Sequence, residues 1–277
     1  MTRGAEPSRA TSVAAAALTF ATHALGVAAF MYPFFLGPVT AANRTMSHAS
    51  EAPVLFSVFG VLLIAVAVTE ARAGRMDAKQ IALLGVLSGV NAVLRLPGAL
   101  AGASLMFILP ILCGYVFGPR FGFMLGASSM AASAVITGGV GPWLPFQMWA
   151  LGWVGLGAGM VGKMLGRRVS RPWAVAVLAV YGWAAGLGFG ALINVWFWPF
   201  QAGSTDISWT PGLGAAAAAG RYWRFYLLTS LAWDSARAVV NALLIVTLGR
   251  PVLRVLWRFR ARLLVRWRPA AQERALA

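Results

Sequence analysis

The stretch N-A-V-L-R-L-P-G-A-L-A-G at 91–102, with G-Y-V-F-G-P-R-F-G at 114–122 and T-G-G-V-G-P-W-L-P-F-Q-M-W at 137–149, decides how this chain is read. Between these pieces lie apolar runs free of charge, while the pieces themselves combine glycine and proline with Trp, Phe and Arg. Solvated linkers seldom hold aromatic residues, and loops of this composition are commonly working parts. Long unbroken apolar runs are what helices crossing a hydrocarbon core of about 30 Å require. A β-barrel would instead alternate in segments of about ten residues. The whole chain is 60% hydrophobic and 11% charged, too little polar surface for a soluble domain. An all-α polytopic membrane protein is expected.

Working outward, the apolar runs predict eight spans, at 13–37, 53–69, 80–96, 103–118, 121–138, 145–164, 173–198 and 223–248. Residues 1–12 carry Arg3 and Arg9 and no small-residue cleavage site, so the first run reads as a retained helix. A net charge of +16 would suggest nucleic acid in a soluble protein, but here it follows topology. With the N-terminus inside, the cytoplasmic segments hold 18 of the 23 basic residues. The positive-inside rule then places both termini in the cytoplasm of a multi-pass plasma-membrane protein, and no nucleic-acid partner is expected.

Three regions follow. Residues 1–78 form a tail and a transmembrane hairpin, set apart by the charged connector E-A-R-A-G-R-M-D-A-K at 70–79. His23, alone on an Ala-rich helix, reads as a packing residue. Residues 79–249 hold six spans, and 250–277 form a basic cytoplasmic tail. In that tail Arg250, Arg254, Arg258, Arg262 and Arg266 recur every four residues among Leu253, Leu256 and Trp257. This is the pattern of an amphipathic helix lying on anionic lipids; a cytosolic partner is the other reading.

Within the core, Ala82, Gly85, Gly89 and Ala92 form a stripe without side-chain bulk, suited to packing in the bundle or to docking another subunit. Gly152, Gly155 and Gly159, and likewise Gly182, Gly186 and Gly190, predict close helix contacts, the second stripe leading to Asn194. Asn91 and Arg95 share a face at i and i+4, and Pro97 ends their helix. Arg95 either reaches lipid phosphates or lines an outward pocket. Trp143, Phe146, Gln147 and Trp149 gather at the start of the sixth span, as an interfacial belt or as one polar group among aromatic walls. Ser128, Ser129, Ser133 and Thr137 can bond back to their own helix. The segment 199–222, with Asp206, Trp209 and a run of alanines, reads as a linker or lid. Asp234, Arg237 and Asn241 fall on one face of the last span. An unpaired charge there costs about 2.5–3.5 kcal/mol, so Asp234 and Arg237 should pair, as a structural clamp or as part of a ligand site.

No Walker A, H-E-x-x-H, G-x-S-x-G or cysteine cluster occurs. A lone Cys113 allows no intrachain disulfide and no cysteine metal site. The scarce acids and the two histidines, His23 and His48, supply no nucleophile–base set and no ion relay. No catalytic residue, cofactor or metal is assigned, and energy for any transport must come from elsewhere.

The segment A-K-Q-I-A-L-L-G-V-L-S-G-V-N-A-V-L-R-L-P-G, with G-Y-V-F-G-P-R-F-G-F-M-L-G-A-S-S and T-G-G-V-G-P-W-L-P-F-Q-M, resembles the substrate-binding S component of energy-coupling factor (ECF) transporters. The resemblance covers about 79–249. It implies a six-helix membrane protein that captures a vitamin or metal outside, while a transmembrane coupling protein and two ATPase subunits supply the energy. It also implies docking on the coupling protein through Ala82, Gly85, Gly89 and Ala92. The implied substrate-binding candidates are Asn91, Arg95, Trp143, Gln147, Asn194 and Trp233, with the loop at 97–102 as gate. The chain departs from the pattern in its two extra N-terminal spans and lacks the histidine-led N-terminus of metal-specific relatives. An organic vitamin is therefore expected, and the aromatic content is compatible with a cobalamin-type corrinoid. The rival readings are a self-sufficient facilitator or channel, and a membrane scaffold or lipid-active enzyme.

Overall fold

A computed structural model describes residues 9–35, 51–74, 76–96, 104–166, 170–201 and 203–263. Every regular element among them is helical. Helix α1 is Arg9–Met31, α2 Ala52–Arg72, α3 Ala78–Val93, α4 Ile108–Phe117, α5 Pro119–Thr137, α6 Leu144–Leu165, α7 Arg171–Phe197, α8 Ala215–Thr229 and α9 Leu231–Leu263. Short 3-10 turns at Tyr32–Phe35, Leu105–Phe107 and Trp198–Phe200 extend α1, precede α4 and extend α7.

Local chemistry sets these boundaries. Asp77 caps α3 by accepting the Gln80 N–H at 2.8 Å, and Gln80 Oε1 accepts the Asp77 N–H in return, a capping box. Between α4 and α5, Gly118 takes φ 105°, which a side chain would resist, and Pro119 opens the next helix. This is the tight turn that F-G-P-R-F-G predicts. Gly138, left-handed at φ 64°, closes α5.

Among the described residues, four segments are long and apolar enough to cross a membrane: Val13–Phe35, Ala52–Arg72, Pro172–Phe200 and Leu231–Arg262. Helix α3 and the segment Leu105–Phe117 are apolar but shorter. Helices α5 and α6, of 19 and 22 residues, are long enough but exchange apolar side chains for glycine and serine. The reason lies in their position. Both are largely buried within the protein, so proximity to a neighbouring backbone matters more there than a lipid-facing surface.

Helices α4, α5 and α6 form the tight centre. A Cβ added at Gly155 would strike the carbonyl of Gly122, and one at Gly122 the carbonyl of Gly155. Gly126 meets the Leu151 carbonyl in the same way, and Gly162 that of Tyr115. Helices α7 and α9 form a second close pair. Gly182 faces Ile245 and Asn241, Gly186 faces the Ala238 backbone, and Gly190 faces the Asp234 carboxyl.

The N-terminal hairpin is fastened to α6. Phe146, Trp149 and Trp153 occupy one face at i, i+3 and i+7. Trp149 is fully buried, stacks on Phe59 at 3.8 Å and donates Nε1–H to the Thr22 carbonyl at 3.2 Å. Trp153 donates to His23 Nδ1 at 3.1 Å, and the His23 ring meets Phe123 edge-on at 4.6 Å, so His23 is packed. The sequence places Trp149 at an aromatic mouth; it anchors the hairpin instead. Glu70, at the start of the charged connector, belongs to α2, is 1% exposed and pairs with Arg120 at 3.3 Å.

Two further expectations change. The predicted span at 223–248 is divided: α8 ends at Thr229, and α9 begins after Ser230, whose N–H bonds to the Tyr226 carbonyl at 3.0 Å. The alanine run is therefore the start of a helix. In addition, α9 continues through Pro251 into the arginine-rich tail. There Leu253 and Leu256 are buried, and the Arg260 guanidinium donates to the Val116 carbonyl and lies 5.0 Å from the Trp257 ring. The tail thus packs on the bundle as far as Arg260, while Arg266 and Trp267 lie outside the described residues.

Candidate functional site

A polar seam joins α3 to α5. Ser88 and Ser128 share a hydrogen bond at 2.7 Å. One turn on, Asn91 Nδ2 donates to Ser129 Oγ at 2.8 Å, and at the end of the seam Arg95 donates to Ser133 Oγ at 3.0 Å. The spacing on α3 is i, i+3 and i+7, one helical face. Each serine also donates back to its own helix: Ser128 to the Met124 carbonyl at 2.6 Å, Ser129 to Gly126 at 3.1 Å and Ser133 to Met130 at 2.8 Å. Because the Ser129 hydrogen is committed to Gly126, its lone pair receives the Asn91 amide N–H, which fixes that amide's orientation. Asn91 and Ser129 are fully buried, and Asn91 Oδ1 has no partner among the described residues.

At the last rung the seam meets α6. Arg95 reaches toward Gln147 Oε1 at 3.5 Å and Met130 Sδ at 3.5 Å. Its guanidinium is thus turned between α5 and α6. Of the sequence-derived candidates, Asn91, Arg95 and Gln147 are brought into one cluster. Ser129 and Ser133, which the sequence reads as bonding back to their own helix, complete it with Met130. The signal for them is the matched spacing of the polar positions on α3 and α5.

The other candidates stand apart. Trp143 is 40% exposed at the entry to α6, and Asn194 is half-buried near the end of α7. Aromatic packing joins these two helix ends, since Phe146 stacks on Trp196 at 4.9 Å, but Asn194 does not bond to the cluster. Phe30 meets Phe146 edge-on at 5.3 Å, and Phe34 lies 5.1 Å from Trp209, so the hairpin also contributes to this aromatic wall. Trp233 is 58% exposed on α9, whose Asp234, Ala238 and Asn241 face α7. It lies on the outward face and does not join the cluster. The proposed gate at 97–102 lies outside the described residues.

Asp234 and Arg237 do pair, at 2.5 Å. Arg237 also donates to the Gly186 carbonyl at 3.4 Å and lies 5.3 Å from the Phe189 ring, while Asn241 donates to the Gly182 carbonyl at 3.2 Å. The glycine stripe of α7 thus receives a polar ladder from α9. Tyr222 on α8 donates to the Ala191 carbonyl, and burial raises the pKa of its phenol, which keeps the donor protonated.

At the opposite end of α6, a cavity of about 530 Å³ lies between the hairpin and the core, bounded by Glu70, Arg120, Phe121, Met160 and Lys163. Lys163 is 16 residues past Gln147, roughly 24 Å along the helix axis.

The stripe on α3 divides by exposure. Ala82, Gly85 and Gly89 are exposed, and a Cβ at either glycine would meet nothing within 4 Å. Ala92 is fully buried and faces inward, because it falls at the edge of the arc holding Ser88 and Asn91. It is not available to a partner.

No curated protein and no solved structure matches the chain. The family described as "ECF transporter, substrate-specific component" matches residues 79–249. That range begins at α3 and ends within α9, containing the polar cluster and both glycine-packed pairs and leaving the hairpin outside. The chain is therefore a member of the ECF transporter substrate-specific component family, an all-α integral membrane protein.

Proposed function

We propose that this protein is the substrate-capture subunit of an ATP-driven importer for a vitamin or related micronutrient, working with a transmembrane coupling protein and two ATPase subunits and having no enzyme activity of its own. The observation that carries this reading is the family match over 79–249 together with a cluster of Asn91, Arg95, Ser133 and Gln147 at one end of the bundle. That arrangement has the form of a ligand site: a few placed polar groups beside aromatic walls. Trp143 and Asn194 stand at the same end and are kept as wall residues. An extended aromatic wall suits a large ring system, a cobalamin-type corrinoid among them.

The distribution of charge supports an orientation. Glu70, Arg120 and Lys163 border the cavity at one end, and the Arg260 contact with Val116 brings the tail to that end as well. By the positive-inside rule this end faces the cytoplasm of a plasma-membrane protein, and the Arg95 cluster opens outward. Arg254, Arg258 and Arg262 are exposed there, a surface suited to anionic lipids.

Reconstitution tests the reading. Substrate uptake into proteoliposomes should require the coupling protein and both ATPases, and uptake by the isolated chain alone would overturn it. At the site, Gln147→Ala should weaken substrate binding by about 1–3 kcal/mol, because a buried ligand group would lose its partner. Unchanged affinity in a binding titration would leave Gln147 as a packing residue.

A further inference from the structure

Arg95 is half-buried, and its guanidinium points into the protein, with Ser133 Oγ, Met130 Sδ and Gln147 Oε1 around it. These partners are all neutral. An arginine that simply reached lipid phosphate would extend outward along its stem; this one turns between α5 and α6.

The chain has seven acids, five of them among the described residues. Glu70 pairs with Arg120 and Asp234 with Arg237. Asp77 is occupied at the far end of α3, capping its first turn. Neither Glu51 nor Asp206 forms an ion pair with Arg95, and the segment P-G-A-L-A-G-A at 97–103 contains no acid. A cation held among neutral groups at a membrane-protein site lacks the counter-charge that such residues normally find. The guanidinium fork also retains N–H donors beyond those facing Ser133 and Gln147, in the planar geometry that fits a pair of oxygens. One turn below on the same face, the buried Asn91 Oδ1 is an acceptor without a donor among the described residues.

We propose that the captured substrate carries an oxyanion, a carboxylate or a phosphate, that binds Arg95, and that a donor N–H or O–H on the same molecule completes Asn91. This rests on the α3–α5–α6 cluster being the capture site. Gln147 and Ser133 then act as positioning residues that hold the guanidinium fork toward the substrate.

The test uses the full chain in lipid nanodiscs, immobilised and exposed to the filtered small-molecule fraction of a bacterial lysate. Retained compounds are identified by mass spectrometry in both ion polarities. The expected compound bears a carboxylate or phosphate, and its retention falls at least tenfold on Arg95→Gln but less on Arg95→Lys, which keeps the charge and loses the fork. On the wild-type chain, the ester or amide of that same compound should bind at least tenfold more weakly. This arm stands even where the Arg95 variants fail to fold.

A retained compound that is uncharged or cationic overturns the proposal while leaving the capture function intact. So does equal retention by Arg95→Gln, or a phospholipid as the one species lost with Arg95. Should the wild-type chain retain nothing, the capture site itself, and with it the proposed function, would be wrong.

Discussion

Gly155→Val should abolish the folded chain: detergent extracts are expected to contain aggregate in place of a monodisperse peak. The added Cβ would collide with the Gly122 carbonyl, and the partner is backbone, so no rotamer change relieves the clash. The two helices would have to separate. Overpacking usually costs about 1–3 kcal/mol, and a backbone collision at the centre of α4, α5 and α6 belongs at or above the top of that range. Gly188→Val is the matched control, because a Cβ there meets nothing within 4 Å. Equal thermal stability of the two variants would refute the close contact of α5 and α6.

The double substitution of Gly85 and Gly89 by Leu should do the reverse. Transport by the assembled importer is expected to fall to background while substrate affinity of the isolated chain is unchanged. Both positions face open space, so nothing within the chain resists the new side chains. Leucine also improves helix propensity over glycine by roughly 0.5–1 kcal/mol at each site, so the isolated chain should be no less stable. The loss would arise wholly at the surface offered to the coupling protein, which needs close backbone approach. Measuring uptake in proteoliposomes and binding by titration separates the two. Parallel loss of both would mean that the face has no docking role.

These glycines show how far the sequence can be read. Four-residue spacing marks Gly85 and Gly89 in the same way as Gly155 and Gly159 or Gly182 and Gly186, and in each case predicts a face that permits close approach. Spacing does not say whether the chain itself fills that face, because the answer depends on which helices become neighbours. The same limit affects the spans. The apolar runs at 121–138 and 145–164 mark α5 and α6 as helices, but not that other helices shield them, and the run at 223–248 does not show the break at Ser230. Asn91 and Arg95 were legible as neighbours because they share one helix. Their partners Ser129 and Ser133 required the fold, since hydroxyls that bond to their own backbone look complete in isolation. Trp149 was misplaced for a related reason: tryptophan near a helix end suits the membrane interface, and only the hairpin docked beside α6 buries it.

The course of α9 has a mechanical consequence. Asp234, packed against Gly190 of α7, and Arg262, near the C-terminal end of the same helix, are 28 residues apart, roughly 42 Å of axial rise. Over that length a small tilt at one end becomes a larger sweep at the other. A force exerted on the exposed arginines would reach the α7–α9 pair through one continuous helix, with Pro251 as the place where that helix can bend.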